Sequence, residues 1–158
     1  MRTLESTLDG SGLRVALVAS RFNHPITRRL FDGASERLAE LGCRDVDAYW
    51  VPGAFEIPIA AQAAAATGRY AAIIAIGAVI RGETPHFDYV CQGVTDGCQR
   101  VALDARLPVA FCVLTTDSVE QALARAAKPG EEGVNKGAEA AEVAVELARL
   151  LESAARDA

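Results

Sequence analysis

Residues 70–80 read Tyr-Ala-Ala-Ile-Ile-Ala-Ile-Gly-Ala-Val-Ile, a run with no charge and no polar alternation. A strand with one wet face alternates polar and apolar side chains, whereas an unbroken apolar run has both faces covered. Tyr70–Val79 is therefore read as an inner strand of a parallel sheet with helices on both sides. Three other short apolar segments are read as strands: Leu13–Ala19, the alternating Val46, Ala48 and Trp50, and Pro108–Leu114. No apolar run is longer than 70–80, which is about half of the roughly 18 residues that a bilayer crossing needs.

The intervening segments carry helical period. Pro25 suits a first helical position after Asn23 and His24. Ile26, Leu30, Ala34, Leu38 and Leu41 then recur on one face, and Gly42 stops the helix. Ala54–Thr67 is alanine-rich and ends at Gly68. Thr84 and Pro85 repeat the start signal ahead of Val90, Val94, Cys98 and Val101. Asp117-Ser-Val-Glu120 has the capping-box spacing and opens a helix to about Ala127. Lys128–Val134 is a loop with two glycines and a proline. Asn135 begins a last helix to about Ala155, with Ala138, Ala141, Val145, Ala148 and Leu151 inside. Residues 1–12 are polar and read as a loose arm. The order β-α-β-α-β-α-β-α-α, without repeat or linker, predicts one α/β domain over residues 1–158 around a four-stranded parallel sheet.

Composition narrows the function. Sixteen basic against 21 acidic residues leave a net charge of −5, which argues against nucleic acid or an anionic membrane as partner. The first ten residues lack the apolar core of a signal peptide, so the expected location is cytoplasmic. Cys43, Cys91, Cys98 and Cys112 form no Cys-x-x-Cys pair and are expected to be free thiols. With only His24 and His86, the chain has few ligands for zinc, and no metal centre is expected. Gly-x-Gly-x-x-Gly, Walker and Gly-x-Ser-x-Gly patterns are missing, against dinucleotide enzymes, P-loop NTPases and serine hydrolases.

In open parallel sheets, ligands sit beyond the carboxyl ends of the strands. Those ends carry Arg21-Phe22-Asn23, Val51 to Glu56, Gly77 to Phe87, and Thr115-Thr116. Phe22 and Phe55 are either a stacking surface for a planar ring or packing beneath neighbouring loops. Thr84 suits an N-cap, and the helix start it opens is an anion site in type. His86, in that first turn, is of the residue type that moves protons near neutrality, or is a helix-start residue without a role.

Together these segments resemble the lumazine synthase family. The stretches that carry the likeness are Arg21-Phe22-Asn23, Pro52-Gly-Ala-Phe-Glu-Ile-Pro58, Gly77 to Val90, Val113 to Asp117 with Glu120-Gln-Ala122, and Asn135-Lys-Gly137. Five motifs in register from residue 13 onward are specific where no single one is. The resemblance implies a flavodoxin-like three-layer α/β/α sandwich. It also implies a cofactor-independent transferase of riboflavin biosynthesis, which condenses 5-amino-6-(D-ribitylamino)uracil with 3,4-dihydroxy-2-butanone 4-phosphate. By resemblance, Phe22 stacks on the pyrimidine, while Ala54, Phe55 and Glu56 line the ring and ribityl pocket. Ala78, Val79 and Ile80 give backbone contacts, Glu83 and Thr84 hold the phosphate, and His86 moves protons. Phe111 and Arg125 correspond to residues that an adjacent subunit contributes, Arg125 to the phosphate and Phe111 to the ring. Lys136 matches a family lysine to which no role is attached.

The same resemblance implies a homopentamer, with decamers and 60-subunit shells also known in the family, and riboflavin synthase as a partner. Lys128-Pro-Gly-Glu-Glu-Gly-Val134 is some three residues longer than the family's usual turn. That length favours a pentamer or decamer over a shell.

Overall fold

A computed structural model describes residues 1–156. Four strands, β1 (Arg14–Ser20), β2 (Asp45–Val51), β3 (Ala72–Ile80) and β4 (Val109–Thr116), form one all-parallel sheet in the order β2-β1-β3-β4. Five helices connect and cover them: α1 (His24–Glu40), α2 (Ile57–Ala66), α3 (His86–Ala105), α4 (Val119–Arg125) and α5 (Lys136–Arg156). This is the three-layer, flavodoxin-like arrangement that the alternation and the resemblance predict.

Period-two geometry divides the inner strands between two cores. Val15, Leu17 and Ala19 of β1, with Ile74 and Ile76 of β3, meet Leu30 and Leu38 of α1 and Ala141 and Val145 of α5. Ala16, Val18, Ile73 and Ala75 meet Ile57 and Ala61 of α2 and Val94 and Cys98 of α3 on the opposite face. Both faces of β3 are thus covered, as its unbroken apolar run demands.

Several local readings need correction. Ala48 of β2 is exposed, because β2 is an edge strand covered along only part of its length. Its cover lies over Trp50, against which Phe31 and His24 stack at centroid distances of 5.0 and 5.5 Å. The segment from Ala54 begins as a single 3₁₀ turn, Ala54–Glu56, before α2. The α4 cap is Ser118, whose Oγ accepts from Gln121 N at 3.2 Å, rather than the pair Asp117 and Glu120. Asp117 is occupied elsewhere: its carboxylate accepts from Arg81 Nε at 2.8 Å. Leu151 is 44% exposed, while Ala140, Ala141, Ala144, Val145 and Ala148 form the buried stripe of α5.

The 1–12 segment is tied down near its end. Arg149 of α5 donates to Asp9 O at 2.8 Å and to Ser11 O at 2.6 Å. All four cysteines are free thiols. Burial pushes the thiols of Cys98 and Cys112 up to about 12, so both stay protonated at neutral pH. No helix among the described residues is long and apolar enough to cross a membrane.

Candidate active site

A parallel sheet leaves its strand ends and helix starts exposed at one edge, and there the chain forms a cleft of about 710 Å³. Backbone bonds between neighbouring connections set its shape. Arg21 N donates to Val51 O at 2.8 Å and Phe22 N to Pro52 O at 3.0 Å, joining the turns that follow β1 and β2. Asn23 takes a left-handed conformation, φ 59° and ψ 40°, which asparagine tolerates better than most residues. Its side-chain Nδ2 donates to Ala78 O at 2.8 Å, which ties the same turn to the end of β3. Phe22, between these anchors, is left 71% exposed on the cleft.

The second wall comes from Gly53 to Glu56. Gly53 is extended, and a Cβ there would stand 2.9 Å from Glu56 Oε2, so the glycine makes room for that carboxylate. Ala54 is buried at the base and Phe55 is 60% exposed at the rim. Ala78, Val79 and Ile80, the last residues of β3, line the floor.

The third wall is the start of α3. Pro85 occupies the cap position with helical dihedrals, and no side chain makes a regular capping bond. Thr84 Oγ1 accepts from His86 N at 3.4 Å, a long version of the cap that the sequence suggests. Thr84 and His86 both line the cleft; Glu83 is exposed and lies outside its lining. Tyr89, 71% exposed, faces the cleft one turn beyond His86. No motif in the sequence singles out Tyr89, although the i,i+3 spacing from His86 puts the two on one helix face.

Arg81 pins the connection between β3 and α3. Its guanidinium reaches Asp117 at 2.8 Å and Asp88 at 3.4 Å, and it stands 4.3 Å from the Phe87 ring centroid. The hydrogen bond from Arg81 to Asp117, and the latter's charge, raise the Arg81 pKa further. Exposed ion pairs add little to stability, so the gain here is order rather than stability. Arg81→Met is therefore expected to leave the melting temperature nearly unchanged. It should speed amide hydrogen exchange of residues 82–86, read by mass spectrometry, and unchanged exchange would refute the pinning role.

Phe111 and Arg125 lie elsewhere in the chain. They line a second cleft, of about 430 Å³, along the open edge of β4, together with Lys136, Glu139 and Val143. Phe111 is 44% exposed, and Arg125 donates to Gln121 O at 3.0 Å. Lys136 pairs with Glu139. Within one chain, then, the first cleft holds Phe22, Phe55 and His86, and the second holds Phe111 and Arg125. Asn135, whose importance the sequence signals only through the motif, is a structural hub. Its Oδ1 accepts from Gly137 N and Ala138 N, and its Nδ2 donates to Arg29 O and Ala127 O. Among the described residues no group of three or more His, Cys, Asp or Glu is placed to hold a metal.

The profile of the 6,7-dimethyl-8-ribityllumazine synthase family matches residues 12–152. A protein of that name from Salinibacter ruber is 51% identical over 150 residues, covering 94% of each chain. Another from Nitratidesulfovibrio vulgaris is 49% identical over 154 residues, 96% of this chain and 97% of its own. A family match over nearly the whole length, on a chain whose strand ends build this cleft, establishes that the chain belongs to the 6,7-dimethyl-8-ribityllumazine synthase family.

Proposed function

We propose that the chain condenses 5-amino-6-(D-ribitylamino)uracil with 3,4-dihydroxy-2-butanone 4-phosphate, releasing 6,7-dimethyl-8-ribityllumazine, water and inorganic phosphate. The supporting observation is the cleft that gathers Phe22, Phe55, Glu56, Thr84 and His86 at the strand ends. In this reading Phe22 stacks on the pyrimidine and Phe55 walls the ring and ribityl pocket. Glu56 takes sugar hydroxyls, while Ala54 and the backbone of Ala78, Val79 and Ile80 contact the ring and its edge. The phosphate of the second substrate lies at the start of α3, held by Thr84, by the backbone at Glu83 and by Arg125 of an adjacent subunit. Phe111 of that subunit closes over the ring.

The chemistry suits so sparse a site. An amine attacks a ketone, an imine forms, phosphate leaves and the ring closes. Holding two substrates in register supplies roughly 7–11 kcal/mol of the barrier reduction. His86, beside the phosphate end, carries protons between the reacting groups and adds about 10²–10⁴-fold. No step calls on a metal or cofactor.

The assembly that completes the site is a homopentamer in the cytoplasm. Two observations support a neighbour at β4: Arg125 and Phe111 face a groove on the sheet's open edge, and Val143, Leu147 and Leu151 expose an apolar stripe along α5. The long 128–134 turn favours a pentamer or decamer over a 60-subunit shell, and riboflavin synthase is the further partner that the family suggests. Sedimentation of a single species near a megadalton would overturn the pentamer.

Mixing the protein with both substrates and following lumazine fluorescence tests the activity. Turnover is expected, and His86→Ala should slow it without abolishing it, because placement of the substrates survives. Binding of a flavin without turnover would instead mark a module that kept the fold and lost the reaction.

A further inference from the structure

Helix α3 carries glycines at positions 93 and 97, one turn apart on its face toward α2. Mid-helix glycine is unfavourable, so each position invites a packing reason. The structure supplies one. The Phe55 ring lies directly on the backbone of Gly93: a Cβ there would overlap Phe55 Cε2 and stand 3.0 Å from Cδ2. The Pro58 ring sits likewise on Gly97, with its Cβ and Cγ 2.6 Å from where a Cβ would be.

The two contacts differ in what can yield. Pro58 is locked into the first turn of α2, whose backbone packs on α3, so crowding at Gly97 falls on the fold itself. Phe55 is 60% exposed and its ring turns about two side-chain bonds, so crowding at Gly93 falls on the ring. One edge of that ring rests on α3, and the ring forms part of the cleft wall.

We propose that Gly93 is a positioning residue for the reaction: the absence of its side chain sets how deeply the Phe55 ring lies, and thereby the width of the aromatic slot that receives the pyrimidine substrate. The inference rests on the reading of the cleft given above, in which Phe55 walls the ring pocket. Gly93 itself touches no substrate and acts through Phe55 alone.

The test is a double-mutant cycle of Gly93→Ala and Phe55→Ala on the assembled protein. It measures kcat, the KM for the pyrimidine substrate and the melting temperature. Gly93→Ala is expected to raise that KM by about 3- to 10-fold, the range of a lost aromatic contact. It should change kcat by less than about twofold and hold or raise the melting temperature, since alanine is the better helix former. In the Phe55→Ala background the Gly93→Ala shift in KM should vanish. An unchanged KM in Gly93→Ala, or a shift of full size without Phe55, overturns the inference while leaving the cleft reading intact. A Phe55→Ala variant whose KM matches the parent's overturns the cleft reading instead, and the inference with it.

Discussion

Replacing Arg125 by alanine raises the KM for the phosphate-bearing substrate by an expected 10- to 100-fold, or about 1.4–3 kcal/mol, and that for the uracil substrate by less than about twofold. The asymmetry follows from position. Arg125 ends α4, donates to Gln121 O, and otherwise faces the cleft along β4 beside Lys136. Truncating an exposed side chain at a helix end removes little from the fold, so the loss is one of binding. A planar guanidinium grips a phosphate through two parallel bonds, which alanine cannot replace and lysine replaces only as a point charge. Arg125→Lys should therefore recover part of the loss. The measurement is steady-state kinetics with each substrate varied in turn. Equal rises in both KM values would contradict the assignment and point to damage at the subunit contact.

The second large effect is on stability. Gly137→Ala is expected to cost at least about 3 kcal/mol and to lower the melting temperature by roughly 6–12 °C in thermal denaturation. A Cβ on Gly137 would overlap the carbonyl oxygen of Leu30, with the carbonyl carbon 2.7 Å away. Both partners are helix backbone, so neither α1 nor α5 can step aside alone. The same crossing is crowded at Gly33, where an added Cβ would run into the Asn135 amide that caps α5. A Gly137→Ala protein that melts with the parent would show that the two helices can separate without penalty, against the packing described here.

These sites show where sequence reasoning reaches and where it stops. β1 and β3 are legible because strands covered on both faces must be apolar at nearly every position, and β4 because, although it is an edge strand, Ala110, Cys112, Val113 and Leu114 are all buried. β2 is harder to read, since an edge strand is covered along part of its length and Ala48 looks no different from a core alanine. The residues of the first cleft, from Phe22 through His86, lie at the strand ends, where the strand-end rule looks for a ligand cleft. Glu83 shares their segment yet lies outside the lining, in the bend before α3 between Gly82 and Thr84, which both line the cleft. The α4 cap falls one residue later, on Ser118, which has the same capping-box spacing to Gln121, while Arg81, 36 positions earlier in the chain, holds the Asp117 carboxylate.

The amino-acid order alone determined the alternation of strands and helices, the covering of β3 on both faces, and the gathering of Phe22, Phe55, Glu56 and His86 at one edge. Hydrophobic period, proline and glycine act over a few residues, and that is the range a sequence displays. Only the folded chain decided that Phe55 rests on Gly93, that Asn135 locks α1 to α5, and that Arg125 opens onto a different cleft from His86. Each of these concerns the relative placement of residues far apart in the chain, which depends on packing that no local pattern records.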